Sequence, residues 1–148
     1  MKKILFPGTF DPFTIGHLAI VKRALCHFDE VIIAIGQNSE KRAAFPLKER
    51  LADISKVFEN EPHVSVLAYN GLTVDFAKQM ETSLILRGVR NVADFEYERS
   101  VADANRRLFG IETVFMIADA EFAHISSSLV RELLTYGKDV ETLISASR

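Results

Sequence analysis

The run Glu30-Val31-Ile32-Ile33-Ala34-Ile35-Gly36 constrains the fold of this chain more than any other stretch. Its centre is apolar without alternation and dense in Val and Ile, which fits a strand buried on both faces. Such strands belong to parallel sheets, whose crossover helices cover both sides. Lys2 to Phe6 is another short apolar run, and between the two Leu18, Val21, Leu25 and Phe28 recur at helical spacing. The chain therefore begins with a β-α-β unit.

The alternation continues. After a polar loop, Gln37 to Phe45, Pro46 opens a helix whose core face is Leu47, Leu51, Ile54 and Phe58. His63 to Tyr69 is a third strand, Gly71-Leu72-Thr73 a turn, and Val74, Phe76, Ala77 and Met80 mark a short helix before the strand Ser83 to Leu86. Arg87-Gly88-Val89-Arg90 follows that strand directly. A long helix from about Asn91 to Phe109 leads to the strand Glu112 to Ile117. Ala118 to His124 reads as a loop, a serine of Ser126 to Ser128 caps a helix Leu129 to Tyr136, and Gly137 stops it. The remainder reads as a short terminal helix or a frayed tail. Five strands alternating with helices predict a single α/β domain over residues 1–148, a Rossmann-like doubly wound five-stranded parallel sheet. Right-handed crossovers would put every strand-to-helix turn on one rim.

At that rim lies Phe6-Pro7-Gly8-Thr9-Phe10-Asp11-Pro12-Phe13-Thr14-Ile15-Gly16-His17. Gly8 lets the backbone approach a bound group, Thr9 or Thr14 can cap the following helix, and the N–H groups of a helix start favour an anion. His17 falls in the first helical turn, where it could donate to phosphate oxygens. Lys41 with Arg42, Arg87 with Arg90, and the Ser126 to Ser128 helix start reach the same edge. Each alone has a dull explanation, since surface Lys and Arg are usually solvated and serines often only cap helices. The net charge is −2, so a positive cluster at the sheet's switch point marks a local polyphosphate site and not a nucleic-acid coat or an anionic membrane surface.

Other chemistries find little support. Cys26 is the only cysteine, which leaves no disulfide framework or cysteine-rich metal site within one chain and fits a reducing cytoplasm. The N-terminal apolar run breaks at Pro7-Gly8, unlike a signal peptide, and no run reaches membrane-spanning length. Gly-x-Gly-x-x-Gly is missing after the first strand, so NAD and FAD are not expected. His17 has no serine or cysteine partner in sequence, and transfer at phosphorus needs no protein nucleophile.

Thr9-Phe10-Asp11-Pro12 with Thr14-Ile15-Gly16-His17 resembles the signature of the nucleotidyltransferase superfamily with the (His/Thr)-x-Gly-His motif. Adding Arg87-Gly88-Val89-Arg90, Asp94-Phe95-Glu96-Tyr97-Glu98 and Ile125-Ser126-Ser127-Ser128-Leu129-Val130, nearly the whole chain is similar to the bacterial phosphopantetheine adenylyltransferases. That resemblance implies transfer of the adenylyl group of ATP to 4′-phosphopantetheine, giving dephospho-coenzyme A and pyrophosphate by in-line attack without a covalent enzyme intermediate. It also implies Mg²⁺ arriving with ATP, a homohexamer, and coenzyme A as feedback inhibitor.

Carried over by position, His17 and Lys41 are catalytic. Thr9, Phe10, His17, Gly88, Val89, Arg90, Glu98 and the segment Phe122, Ala123, His124, Ile125, Ser126, Ser127 and Ser128 bind ATP. Thr9, Lys41, Thr73, Arg87 and Asn105 bind the pantetheine substrate. The chain departs from the family pattern in the proline-free loop Asn38 to Ala44, at Thr73 and at Ala104. Ile125 to Arg131 also echoes nicotinate-mononucleotide adenylyltransferases, whereas Thr14 replaces the first histidine of cytidylyltransferases. A nucleotide-binding module without turnover is the rival of another class.

Overall fold

The computed structural model of the chain describes residues 1–37 and 43–144. Strands β1 (Lys3–Gly8), β2 (Glu30–Gly36), β3 (Val64–Tyr69), β4 (Leu84–Val89) and β5 (Glu112–Ile117) form one sheet in the order β3-β2-β1-β4-β5. Every pairing is parallel. The crossover helices are α1 (Ile15–Ala24), α2 (Leu47–Val57), α3 (Thr73–Gln79) and α4 (Val92–Phe109), and α5 (Ser127–Thr135) follows β5. This is the doubly wound, Rossmann-like sheet that the unbroken apolar runs predict.

Side chains alternate between two faces, and each face has its own core. Ile4 and Phe6 of β1, Ile33 and Ile35 of β2 and Leu86 of β4 pack with Ile20 and Val21 of α1, Ile54 of α2 and Phe58 just beyond it. Leu5, Ile32, Ala34 and Ile85 point the other way, against Val74 and Ala77 of α3. Apolar burial on both sides of β1 and β2 is why those strands carry no polar alternation. The helix α4 differs, for it buries none of its residues. From β1 the chain winds outward through β2 to β3, then returns to β4 on the opposite flank. The crevice between β1 and β4 is thus the switch point, where such sheets bind ligands.

Several boundaries differ from the sequence pattern. Pro7 and Gly8 belong to β1, and Arg87, Gly88 and Val89 lie within β4 instead of following it. The reason is pairing: Arg87, Gly88 and Val89 match Phe115, Met116 and Ile117, so β5 carries the ladder past the apolar run. The expected loop Ala118 to His124 contains a 3₁₀ turn, Ala120–Phe122, and α5 starts at Ser127 instead of Leu129 because Ser126 is the cap, its Oγ accepting from Leu129 N–H at 3.1 Å. The terminal segment is neither a helix nor frayed as far as residue 144. Val140 is buried, Ile15 N–H donates to the Leu143 carbonyl at 3.0 Å, and Ile144 bridges Thr14.

Gly8 is required by the ring that covers it. A Cβ there would lie 2.9 Å from Phe10 Cζ. The ring has no retreat, since Phe6 and Phe13 hold it at centroid distances of 5.3 and 5.4 Å. Gly8→Ala should therefore cost roughly 1–3 kcal/mol of stability through overpacking. Denaturant unfolding against the parent protein measures this, and an unchanged midpoint would mean that the ring yields freely.

Candidate active site

The site opens where the sheet's hydrogen bonding is weakest. A single ladder pair, Leu5 with Ile85, joins β1 to β4. Above it Pro7 has no N–H to offer a neighbouring strand, and its carbonyl instead accepts from Arg87 Nη1 at 2.8 Å. A cavity of about 530 Å³ occupies this crevice, with Gly8, His17, Arg87, Arg90, the serines at the start of α5 and Arg131 in its wall. A second cavity of about 200 Å³ adjoins it and shares Pro7, Arg87, Tyr97 and Glu98 with the first.

His17 is fixed by the helix it helps to begin. Thr14 is the N-cap of α1, and its N–H donates to His17 Nδ1 at 2.9 Å while His17 N–H donates to Thr14 Oγ1 at 3.3 Å, a reciprocal capping box. Because Nδ1 accepts, the ring proton of the neutral imidazole resides on Nε2. Phe13 stacks on the ring at 5.2 Å, and Phe10 and Phe6 meet it edge-on at 5.0 and 6.3 Å. Burial first, then the charges of Arg87 and Arg90, lowers its pKa from 6.5 to about 4. At neutral pH His17 is an uncharged N–H donor. The helix start offers fewer free amides than the sequence suggests, since Ile15 N–H goes to Leu143 and His17 N–H to Thr14.

The turn before α1 rests on three residues that the motif reading did not single out for the site. Phe10 has φ 50°, a left-handed backbone that a bulky residue adopts only when held. Two arginines clamp the carbonyls on either side: Arg50 donates to Thr9 and Arg131 to Asp11, each at 2.8 Å. The buried Asp11 carboxylate accepts from the N–H groups of Ala44 and Phe45, both at 2.8 Å, which ties the segment entering α2 to the turn. A sequence signal for Arg50 exists. It interrupts the apolar face of α2 between Leu47 and Ile54 and is only 8% exposed.

Of the residues expected at the site, Thr9, Phe10, His17, Gly88, Arg90, Glu98, Phe122, Ile125, Ser126, Ser127 and Ser128 line the larger cavity. Thr73 and Asn105 line the smaller one, and Arg87 lines both. Val89 is buried in the ladder beside Ile117, and Ala123 and the exposed His124 lie outside the lining. Lys41 and Arg42 fall outside the described residues. Each acid in the larger cavity's wall has a protein partner: Asp11 as above, Asp94 with Arg90 Nε at 3.2 Å, and Glu98 with Arg87 Nε at 2.8 Å.

The chain belongs to the cytidylyltransferase-like family, whose model matches residues 5–133. A solved structure, the lipopolysaccharide core biosynthesis protein from Thermoplasma volcanium GSS1, shares the fold, with a TM-score of 0.57 and 20% identity over 80% of this chain and 97% of that one. Within the family the chain groups with the phosphopantetheine adenylyltransferases. The protein of that name from Phocaeicola vulgatus is 54% identical over 95% of this chain and 93% of its own length. Those from Bacteroides thetaiotaomicron and Flavobacterium johnsoniae are 50% and 51% identical over 97% of this chain and 95% of theirs.

The His17 environment has a measurable consequence. In an NMR pH titration its imidazole should titrate near 4 and not near the ordinary 6.5. Because the folded state binds this proton less readily than the unfolded one, the contribution of His17 to stability is full above about 6.5 and is lost as pH falls through about 4. A resolved imidazole pKa near 6.5 would overturn the assignment of a neutral donor held by burial.

Proposed function

We propose that this protein, as one domain over residues 1–148, transfers the adenylyl group of ATP to 4′-phosphopantetheine. A phosphate oxygen of 4′-phosphopantetheine attacks the α-phosphorus in line, the bond to the β-phosphate oxygen breaks, and pyrophosphate leaves with the electron pair. The observation that carries this reading is His17, an uncharged Nε2–H donor in the cavity wall within the field of Arg87 and Arg90. An attacking phosphate is already an anion and needs no base, so what the site must supply is position and charge stabilisation. The relatives' shared name and near-complete overlap support the same reaction.

ATP occupies the larger cavity, against Thr9, Phe10, Gly88, Arg90 and the segment 122–128. The pantetheine arm occupies the smaller one, against Thr73 and Asn105, with Arg87 and Lys41 at its phosphate. Among the described residues no cluster of His, Cys, Asp or Glu could hold a metal, and the acids in the cavity wall are engaged. Mg²⁺ therefore fits as an ion carried by the triphosphate, where it would neutralise charge on the departing pyrophosphate. Coenzyme A, which carries the same arm, competes for the smaller cavity. Among the described residues no helix is long and apolar enough to cross a membrane, and with one cysteine in the chain we assign the reaction to the cytoplasm. The exposed apolar residues of α4, Val92 at 75% and Leu108 at 72% among them, support assembly of several copies, which we take to be a homohexamer.

Pyrophosphate release from ATP and Mg²⁺ should require 4′-phosphopantetheine, and release only with nicotinate mononucleotide would overturn the assignment. His17→Ala should lower kcat and kcat/KM together by roughly 10²–10³-fold and leave ATP binding nearly intact, because the donor acts as charge develops. A raised KM for ATP with kcat unchanged would make it a ground-state ligand instead. Light scattering should return six copies, and a monomer at assay concentration would refute the assembly.

A further inference from the structure

The helix that carries His17 is held at its start by a segment from beyond α5. There the chain turns back through a Schellman motif: Gly137 takes a left-handed φ of 72°, its N–H donates to the Leu134 carbonyl at 3.0 Å, and Lys138 N–H donates to that of Leu133 at 2.9 Å. Val140 is then buried, and its carbonyl accepts from both Leu143 and Ile144, at 2.8 and 3.2 Å. The compact turn so formed presents the Leu143 carbonyl to Ile15, the first residue of α1, whose N–H donates to it at 3.0 Å, while Ile144 bridges Thr14 in antiparallel fashion. A first-turn amide has no partner inside its own helix, and at a phosphate-binding helix start it is free for the ligand. Here the chain itself takes it.

We propose that the strap from Val140 to Ile144 is a positioning element for His17, acting through the Ile15 N–H and the Thr14 cap on the direction in which Nε2–H points. The inference rests on the reaction proposed above, in which that donor meets the developing charge. The aromatic contacts do not set this direction. Phe13 stacked on the imidazole fixes the plane of the ring, but a stacked ring still turns within its plane, and Phe6 and Phe10 add apolar contacts. Orientation within the plane comes from a directional bond, Thr14 N–H to Nδ1 at 2.9 Å. That bond and its reciprocal lie within the first turn of α1, so they couple Thr14 to the ring without fixing where the pair sits. The strap supplies a bond from a separate element to the peptide that follows Thr14. A misplacement on the order of 1 Å at a group acting on the transition state costs rate and leaves ground-state affinity in place.

Ile15→Pro deletes this N–H on a backbone that accepts the change, since proline suits the first helical position and Thr14 before it is extended at φ −106° and ψ 170°. Ile15→Ala trims the same side chain and keeps the donor, and Val140→Asp loosens the strap at its buried anchor. In the full-length protein, Ile15→Pro and Val140→Asp should each lower kcat roughly tenfold with KM for MgATP and 4′-phosphopantetheine unchanged, and the double variant should lose no more than either. Ile15→Ala should lose clearly less than Ile15→Pro. NMR of the imidazole nitrogens at neutral pH should show the His17 proton on Nε2 in the parent and exchange between both tautomers in the two loosened variants. A strap with a merely structural role would lower the melting temperature of these variants and leave kcat and the tautomer as in the parent, which would overturn the inference. So would a raised KM with kcat intact, equal losses in Ile15→Ala and Ile15→Pro, or additive losses in the double variant. Where a variant does not fold, hydrogen exchange on the parent decides: the Ile15 amide should be protected roughly tenfold or more, and free exchange there would refute the strap. Absence of pyrophosphate release from the parent would refute the proposed reaction, and the tautomer measurement would still decide whether the strap orients the ring.

Discussion

The seam between β1 and β4 is the constraint on which the site depends. On its other flank β1 pairs with β2 at six consecutive positions, whereas it shares one ladder pair with β4. Pro7 is the reason that the backbone cannot close this seam, because a proline brings a carbonyl and no N–H. Arg87 closes it with a side chain, donating to that carbonyl from the strand across the gap. One residue thus completes the sheet and leaves a cation facing both cavities. Lysine in its place would offer a point charge and no fixed fork, so it could not hold a strand carbonyl and a carboxylate in one plane.

Much of the fold is legible in the sequence because burial on both faces leaves a strong trace. Runs such as Val31 to Ile35 admit few other arrangements, and α1 and α2 show their apolar stripes. The strand ends are less legible. Pro7-Gly8 and Arg87 to Val89 have turn-like or polar composition, and they stay in the sheet through pairing with β2 and β5, partners far away in sequence. The terminal segment is hidden for the same reason: a backbone bond from Ile15 to Leu143 holds it, and a backbone bond carries no side-chain signature.

The candidate site divides along a similar line. Motif order brings Thr9, His17, Arg90 and the α5 serines to one rim, because those residues sit at strand-to-helix turns that parallel topology gathers. Asp11, Arg50 and Arg131 are harder to see, since they act on backbone. Each satisfies carbonyls or amides around Phe10, whose left-handed conformation is itself invisible in sequence. The motif therefore shows what faces the crevice better than what holds the turn in shape. Among the described residues no buried side-chain polar atom is left unpaired, so this support is complete without a ligand.

That completeness bears on why the histidine is uncharged. A charged imidazole beside Arg87 and Arg90 would add repulsion in a half-buried site, and the lowered pKa reflects that cost together with burial. A neutral ring avoids it and still presents an N–H. The capping box makes the arrangement inexpensive, because Nδ1 already has a donor in Thr14 N–H and the proton on Nε2 follows from it. A neutral donor adds little to ground-state attraction for phosphate, which three arginines in the wall can supply. In the reaction we propose, its hydrogen bond would strengthen as negative charge accumulates on a non-bridging oxygen, so its contribution would fall mainly on the transition state. The reaction we propose thus divides ground-state binding, by the arginines, and transition-state stabilisation, by a neutral dipole, between different residues of one crevice.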